Sequence, residues 1–498
     1  MNVGGEELQP FYDDARIQLG KALAVGWKIK PTKHVSFPAD AKIVSGSIEP
    51  CNPWGAVRPT VEEIIASYKL SCKKLGVKPI DKLLKQLQEI TEVHHRIKCL
   101  DLQGEVLDYE SCESLESVFR SVRFEWVNLE RAKLDENGAA ALFDIMEYYE
   151  SAVRLSISFS AHIGSRGWMA AAQLIRKSSC LREFEACGVA LTEHPCRYMT
   201  KALRFSQSLV GLRLEDAGLS GLPLMLLVSA LKVNRTLQEL HLADNQLNSL
   251  QDAMQLGELL KCNSTIRLLD LKNNCISNAG LEDICGGLRE QRHGLRTLVL
   301  WNNKLTRKGM AHLAATLPHL TALETLNLGH NYLNNEGIFR LKEALIANRS
   351  IVRLGLASTS ITCEGAIAAA EFVAESTALL RLDLRRNRIG TAGLMALSLA
   401  LKINDSLVRL DLETEIKRET LPGNLNSQQL DSQFSLKTAG ILPAVKHQAD
   451  PIKTAPESCA VRWSLGVSTD RMQFVLGFVP LRSGAVPRKP PLLFSYSL

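Results

Sequence analysis

Several features that would mark a functional class at once are missing from this chain. Twelve cysteines occur at irregular spacings without a single C-x-x-C pair, so neither a zinc ribbon nor a disulfide framework is spelled out. The apolar stretches LPLMLLVSAL and LMALSLALKI fall well short of the about 20 residues that a membrane-spanning helix needs. Charge is thinly spread: 59 basic against 53 acidic residues leave +6, with no run of five like charges and no basic stripe interleaved with aromatics. Nucleic acid is therefore not expected as a partner. The start MNVGGEELQP has no basic region leading into an apolar core. These absences predict free thiols in a reducing, intracellular setting, cytoplasmic or nuclear, and no membrane segment. The densest basic cluster, RRNR at 385–388, reads as a solvated loop, with a phosphate-binding patch as the alternative.

The common catalytic signatures are missing too. G-x-x-x-x-G-K-[ST], G-x-S-x-G and H-E-x-x-H do not occur. His94 and His95 are neighbours, which is the wrong spacing to share a metal, and Cys180, Cys187 and Cys196 are divided between a strand exit and the next outer segment. No catalytic residue, cofactor or metal is expected, and the chain is expected not to be an enzyme.

What is present is a repeat. LQELHLADNQL from 237, IRLLDLKNNCI from 266, LRTLVLWNNKL from 295, LETLNLGHNYL from 323, IVRLGLASTSI from 351 and LLRLDLRRNRI from 379 share the template L-x-x-L-x-L-x-x-N-x-L. Stepping back by 27 to 29 residues finds starts at 209, 181, 152, 124 and 97, and stepping forward finds one at 407. About twelve units result. Within each, the L-x-L pair alternates as a strand does, with both leucines inward and the residue between them on the inner surface. Asn245, Asn274, Asn303, Asn331 and Asn387 fall where the chain leaves the strand, where a side-chain amide can serve backbone groups of a neighbour. A small residue follows, often glycine, then leucines at helical spacing such as Leu341 and Leu345. The predicted fold is α/β: a leucine-rich-repeat solenoid, or horseshoe, over 97–413, with parallel concave strands and convex α-helices. Such an array needs its ends covered.

Residues 60–96 read as the N-terminal helical cap. Thr60 and Glu63 make a capping box; Val61, Ile64, Ile65, Tyr68, Cys72 and Leu75 form a stripe closed by Gly76, and a second stripe runs from Ile80 to Ile90. Residues 1–30 and 414–498 read as a disordered N-terminus and a mostly disordered tail. Four N-x-[ST] sequons, at Asn234, Asn263, Asn348 and Asn404, each precede a repeat by three residues. They are expected at helix ends, where Asn tolerates the left-handed conformation, and not as glycosylation sites.

On the inner surface the template places His241, Asp270, Val299, Asn327, Gly355, Asp383 and Asp411, a polar set with little charge bias. Trp301 lies at its edge, either as an anchor for a further protein partner on the concave face or packed against the adjacent loop.

The extended segment 31–59 carries Lys33-His34-Val35-Ser36-Phe37 between Pro31 and Pro38. It fits [KR]-x-[VI]-x-[FW], the short docking motif of many regulators of protein phosphatase 1. An extended segment can add to a sheet edge with Val35 and Phe37 projecting to one side. Ile43 and Val44 stand where such regulators often place a second apolar contact. Arg120-Ser121-Val122-Arg123-Phe124 fits the same pattern, but Phe124 opens the second repeat and is expected to be buried.

The stretch KHVSFPADAKIVSGSIEPCNPW, the two cap helices, and an array containing LVLWNNKLTRKGM, LETLNLGHN and LLRLDLRRNRIGTAGLMALSLALK together resemble the leucine-rich-repeat regulatory subunits of protein phosphatase 1, whose repeats are ribonuclease-inhibitor-like. The resemblance runs over about residues 31–413. It implies that Val35 and Phe37 hold the catalytic subunit and that the bound phosphatase is inhibited. Two rival readings share the repeat: a Ran-type GTPase-activating protein, which normally has a strongly acidic tail, and a generic leucine-rich-repeat scaffold.

Overall fold

The computed structural model describes residues 59–90, 95–291 and 294–412, together with the backbone of two strands, Arg462–Ser468 and Arg471–Gly477. Twelve short strands, from Ile97–Asp101 to Arg409–Asp411, form one parallel sheet in strict chain order. Each pairs in register with the strand one repeat away, as in Leu298 beside Leu269 and Leu326. Between successive strands the chain crosses the outer side, and most of the helices there are 13 or 14 residues long, for example Gly164–Lys177 and Asn334–Ala347. The 28-residue step leaves room for such a helix, as expected. Three repeats do otherwise. The first uses the short helices Tyr109–Ser114 and Glu116–Phe119, the fifth has the ten-residue Leu222–Leu231, and the eighth ends Gly309–Thr316 in a 3₁₀ turn containing Pro318.

The core is one continuous leucine layer between sheet and helices. Every template leucine from Leu100 to Leu410 in the L-x-L positions is buried or nearly so. Helices approach closely where small residues face each other: a Cβ on Gly287 would collide with the backbone of Gly257. No repeat could bury this surface alone, so the stability belongs to the stack.

The asparagines at the strand exits act as the template requires. Asn303 is buried; its Oδ1 accepts from the backbone N–H of Asn274 (3.2 Å) and Ile276 (2.9 Å), and its Nδ2 donates to the carbonyls of Leu271 and Leu300. Asn245, Asn274, Asn331 and Asn387 repeat this pattern one unit apart. A feature missed in the sequence precedes them. The residue just before the asparagine position has a positive φ, between 50° and 76°, in each of the first eleven repeats. Gly104, Asp216 and Asn273 suit that left-handed conformation, whereas Phe159 and Arg386 must be held in it by the stack.

The sequon asparagines are structural, but for a different reason from the one expected. Asn263, Asn348 and Asn404 are extended, not left-handed. Their amides form a second relay: Asn348 Nδ2 donates to Leu317 and Leu320 carbonyls while Oδ1 accepts from Ser350 and Ile351. A side chain so used is not available to a glycosyl group.

At the N-terminal end, helix Val61–Leu75 has the Thr60–Glu63 capping box and a left-handed Gly76. Ile64, Tyr68 and Cys72 are buried, but Leu75, counted in the apolar stripe, is 37% exposed. The second helix, Asp81–Gln88, closes the open edge of the sheet. Gln86 mimics a strand residue, its Nε2 donating to the Asp101 carbonyl and its Oε1 accepting from the Asp101 N–H, both at 2.7 Å. Lys82 adds an ion pair to Asp101 at 2.8 Å. An edge left with bare N–H and C=O groups would invite pairing with another chain.

Candidate protein-interaction surface

Strand alternation sends three template positions of every repeat to the inner face: the residue before the first L of L-x-L, the residue between the two, and the residue after the second. The sequence reading followed mainly the middle row. The register adds the row before it, which runs Cys99, Trp126, Arg154, Glu183, Gly211, Glu239, Leu268, Thr297, Thr325, Arg353, Arg381, Arg409. With both rows in view the face is not evenly polar. The signal was present in the template itself, two residues ahead of the row that was read.

Over repeats four to seven acidic groups dominate. Glu183, Glu185, Glu215, Glu239 and Asp270 stand against Arg213 and Lys272 on this face. Glu185 is nearly buried and gathers the cations around it: Arg154 Nη2 lies at 2.6 Å and Arg213 Nε at 3.2 Å. Arg154 also lies over the Trp126 ring, 4.9 Å from its centre. Over repeats ten to twelve the sign reverses. Arg353, Arg381, Arg385 and Arg409 face Asp383 and Asp411. Asp411 is fully buried and clasped from both sides, by Arg381 Nη2 and by Arg409 Nε, each at 2.8 Å. Between these regions Thr297, Val299, Thr325 and Asn327 carry no charge.

Trp301 borders this neutral stretch. It is half-buried, stacked on His330 with ring centres 5.7 Å apart, and lies against Gly329, where a Cβ would collide with the indole. Lys33, His34, Val35, Ser36, Phe37, Ile43 and Val44 lie outside the described residues. The second match to the docking pattern is described, and both its apolar positions are core: Val122 and Phe124 are each 1% exposed, with Phe124 edge-on to Phe119.

No group of three or more His, Cys, Asp or Glu side chains that could hold a metal ion occurs among the described residues. The cysteines described are free. Burial pushes Cys196 up to about 11 and Cys285 up to about 12, and raises Cys112 further. Thiols so raised are packing groups at neutral pH, not nucleophiles. No described helix is long and apolar enough to cross a membrane.

The family model described as leucine rich repeat matches residues 233–249, 262–285 and 375–398. Two curated relatives, from Bos taurus and Homo sapiens, are each named protein phosphatase 1 regulatory subunit 37. Each is 58% identical over 293 residues, or 59% of this chain and 42% of the relative. The chain thus spans less than half the length of the curated relatives it matches. Among solved structures, an internalin from Listeria monocytogenes is 15% identical, covering 70% of this chain and 97% of that one, with a TM-score of 0.35.

Proposed function

We propose that this chain is a non-catalytic regulatory subunit that docks on the catalytic subunit of protein phosphatase 1 through Lys33-His34-Val35-Ser36-Phe37 and inhibits or redirects its activity. The observation that carries the reading is the coincidence of two independent facts: a docking-type segment ahead of the repeats, and high identity to proteins named as regulatory subunits of that phosphatase. The internal match supports it by contrast. Arg120–Phe124 has the same letters but its anchors are locked into the repeat core. Docking through it would require unfolding the second repeat.

Burying Val35 and Phe37 in pockets of the phosphatase is worth about 1.5 to 3 kcal/mol each, offset by the ordering of the segment. Tight binding therefore calls for a second linked contact, for which Ile43 and Val44 are the candidates. Phosphorylation of Ser36 places about two negative charges between the anchors and weakens docking. Titration calorimetry of the full chain against purified catalytic subunit tests the reading. Val35→Ala with Phe37→Ala abolishes most binding while the thermal melt stays unchanged; equal binding by the double variant overturns the assignment.

A further inference from the structure

The concave face contains a notch that neither the repeat architecture nor phosphatase docking requires. Glu183, Gly211 and Glu239 are in direct register on three adjacent strands. Since neighbouring strands lie about 4.8 Å apart, the two glutamates stand on backbones about 10 Å apart, with no side chain on the strand between them and the Glu183 side chain leaning over Gly211. Its lining is completed by Glu185, Arg213 and His241. We propose that this notch receives a lysine or arginine side chain carried by a basic, extended segment of a partner protein.

Charge is the first argument. Of the carboxylates here, Glu185 has taken both nearby arginines, and Glu183 keeps only a 3.4 Å contact to Arg154. Glu239 is 50% exposed, and no lysine or arginine among the described residues pairs with it in the structure; His241 Nε2 lies 3.9 Å from its Oε2. A carboxylate pair thus faces the gap with less positive charge than it could hold.

His241, whose Nε2 lies beyond hydrogen-bond distance of Glu239, is the second argument. Its side chain is 8% exposed. Nδ1 faces Arg213 Nη1 at 3.4 Å, with Asp270 Oδ2 at 3.7 Å. A guanidinium only donates, so Nδ1 accepts and the ring proton sits on Nε2. That Nε2 is buried and has no hydrogen-bond partner. Buried donors are normally satisfied. A peptide lying along the face supplies a backbone carbonyl for the Nε2–H while its cation sits between the glutamates, so one ligand resolves both deficits.

The span selects the occupant. No group of three or more side chains that could hold a metal ion occurs here among the described residues, whereas a pair of carboxylates suits an ammonium or guanidinium on a long apolar stem, which rests against the glycine backbone. Gly211 matters because any side chain there enters the gap; even a Cβ would come within 3.2 Å of Glu183 Cγ. This inference does not rest on phosphatase docking, which involves a different part of the chain.

Fluorescence polarisation with a labelled hexa-arginine peptide, using the full-length chain at physiological salt, tests it. Glu239→Gln weakens binding about tenfold, and Gly211→Val does the same by filling the notch. Glu343→Gln, on a helix and 79% exposed, leaves binding unchanged. If Glu239→Gln and Glu343→Gln behave alike, the attraction is general electrostatics and the proposal fails. Undiminished binding by Gly211→Val, with a wild-type melt, likewise removes the notch as the site. Glu239→Gln binds the phosphatase catalytic subunit as the parent does, so failure of the docking reading and failure of this one give different results.

Discussion

Where repeats six to nine and eleven place an asparagine at the strand exit, the first five place Glu105, Ala132, Ser160, Val189 and Ala217. The backbone groups at that point are satisfied differently in consequence. In the later repeats the amide reaches into the unit before it, as Asn303 does to Asn274 and Ile276. In the first three repeats the turn closes on itself: Glu105 N donates to Leu102 O, Ala132 N to Leu129 O, and Ser160 N to Ile157 O, whereas Ala217 N of the fifth already donates to Asn245 Oδ1. The early units are instead joined by longer strands, five residues in Ile97–Asp101, Phe124–Asn128 and Ala152–Ser156 against three from Glu183 onward. A second parallel pairing, Val106–Leu107 with Lys133–Leu134, adds to this. One template therefore supports two ways of coupling neighbours, by side-chain relay or by main-chain ladder. The acidic end of the concave face begins at Glu183, where the longer strands give way to three-residue ones.

The largest expected effect breaks the early half. Phe124→Ala empties a fully buried site packed against Phe119 and lowers stability by about 3 to 5 kcal/mol, read from urea unfolding. The same aromatic truncation at Phe37 leaves the unfolding curve where it was, if the docking segment stands apart from the core as proposed. A smaller loss at Phe124 than at a single strand-exit asparagine would mean that the early repeats are the looser half.

Next comes the relay. Asn303→Ala strands two backbone donors and the Leu271 carbonyl in a buried layer, while Leu300 O keeps Asn331 Nδ2, and the expected loss is about 2 to 4 kcal/mol. Hydrogen exchange locates it: protection falls at Asn274 and Ile276, one repeat upstream of the mutation. Loss confined to the mutated repeat would show that the relay does not couple units.

These two halves also differ in how far they could be read from the chain. The regular units were legible because a leucine period and an asparagine at a fixed offset leave little else for the backbone to do, and the residues matched by the repeat model all lie in that half. The capping box at Thr60 was legible because its two partners are three residues apart. What escaped depends on contacts between units. Phe159 accepts a left-handed backbone while lying under Arg131 of the repeat before, 5.2 Å from guanidinium carbon to ring centre, and no local propensity announces that. The sequon asparagines were placed correctly at helix ends but for the wrong reason, since their use is a bond to the previous repeat joined to a side-chain turn, and not a left-handed backbone. Charge segregation on the inner face escaped because it appears only when two rows are read together. Gly211 looks like a defect in a strand until Glu183 and Glu239 are set beside it.

The smallest effect separates the two coupling modes most sharply. Ser160 occupies the asparagine position in the third repeat, and its hydroxyl makes one bond backward, to Leu129 O at 3.0 Å. Ser160→Ala should cost about 1 kcal/mol, well below Asn303→Ala. Double-mutant cycles then measure what each residue shares with its neighbours. Asn303 N donates to Asn331 Oδ1 at 3.0 Å, so Asn303→Ala and Asn331→Ala act on one chain of bonds, and their combined loss departs from the sum by about 0.5 to 1 kcal/mol. Ser160→Ala and Asn303→Ala stand five repeats apart with no shared partner, and in a solenoid whose units touch only their neighbours their effects add. Additivity in the first pair would mean that the asparagines serve their own turns independently. Coupling in the second would mean that the solenoid transmits strain along its length, and that a ligand seated over Gly211 could be felt at the arginine end of the same face.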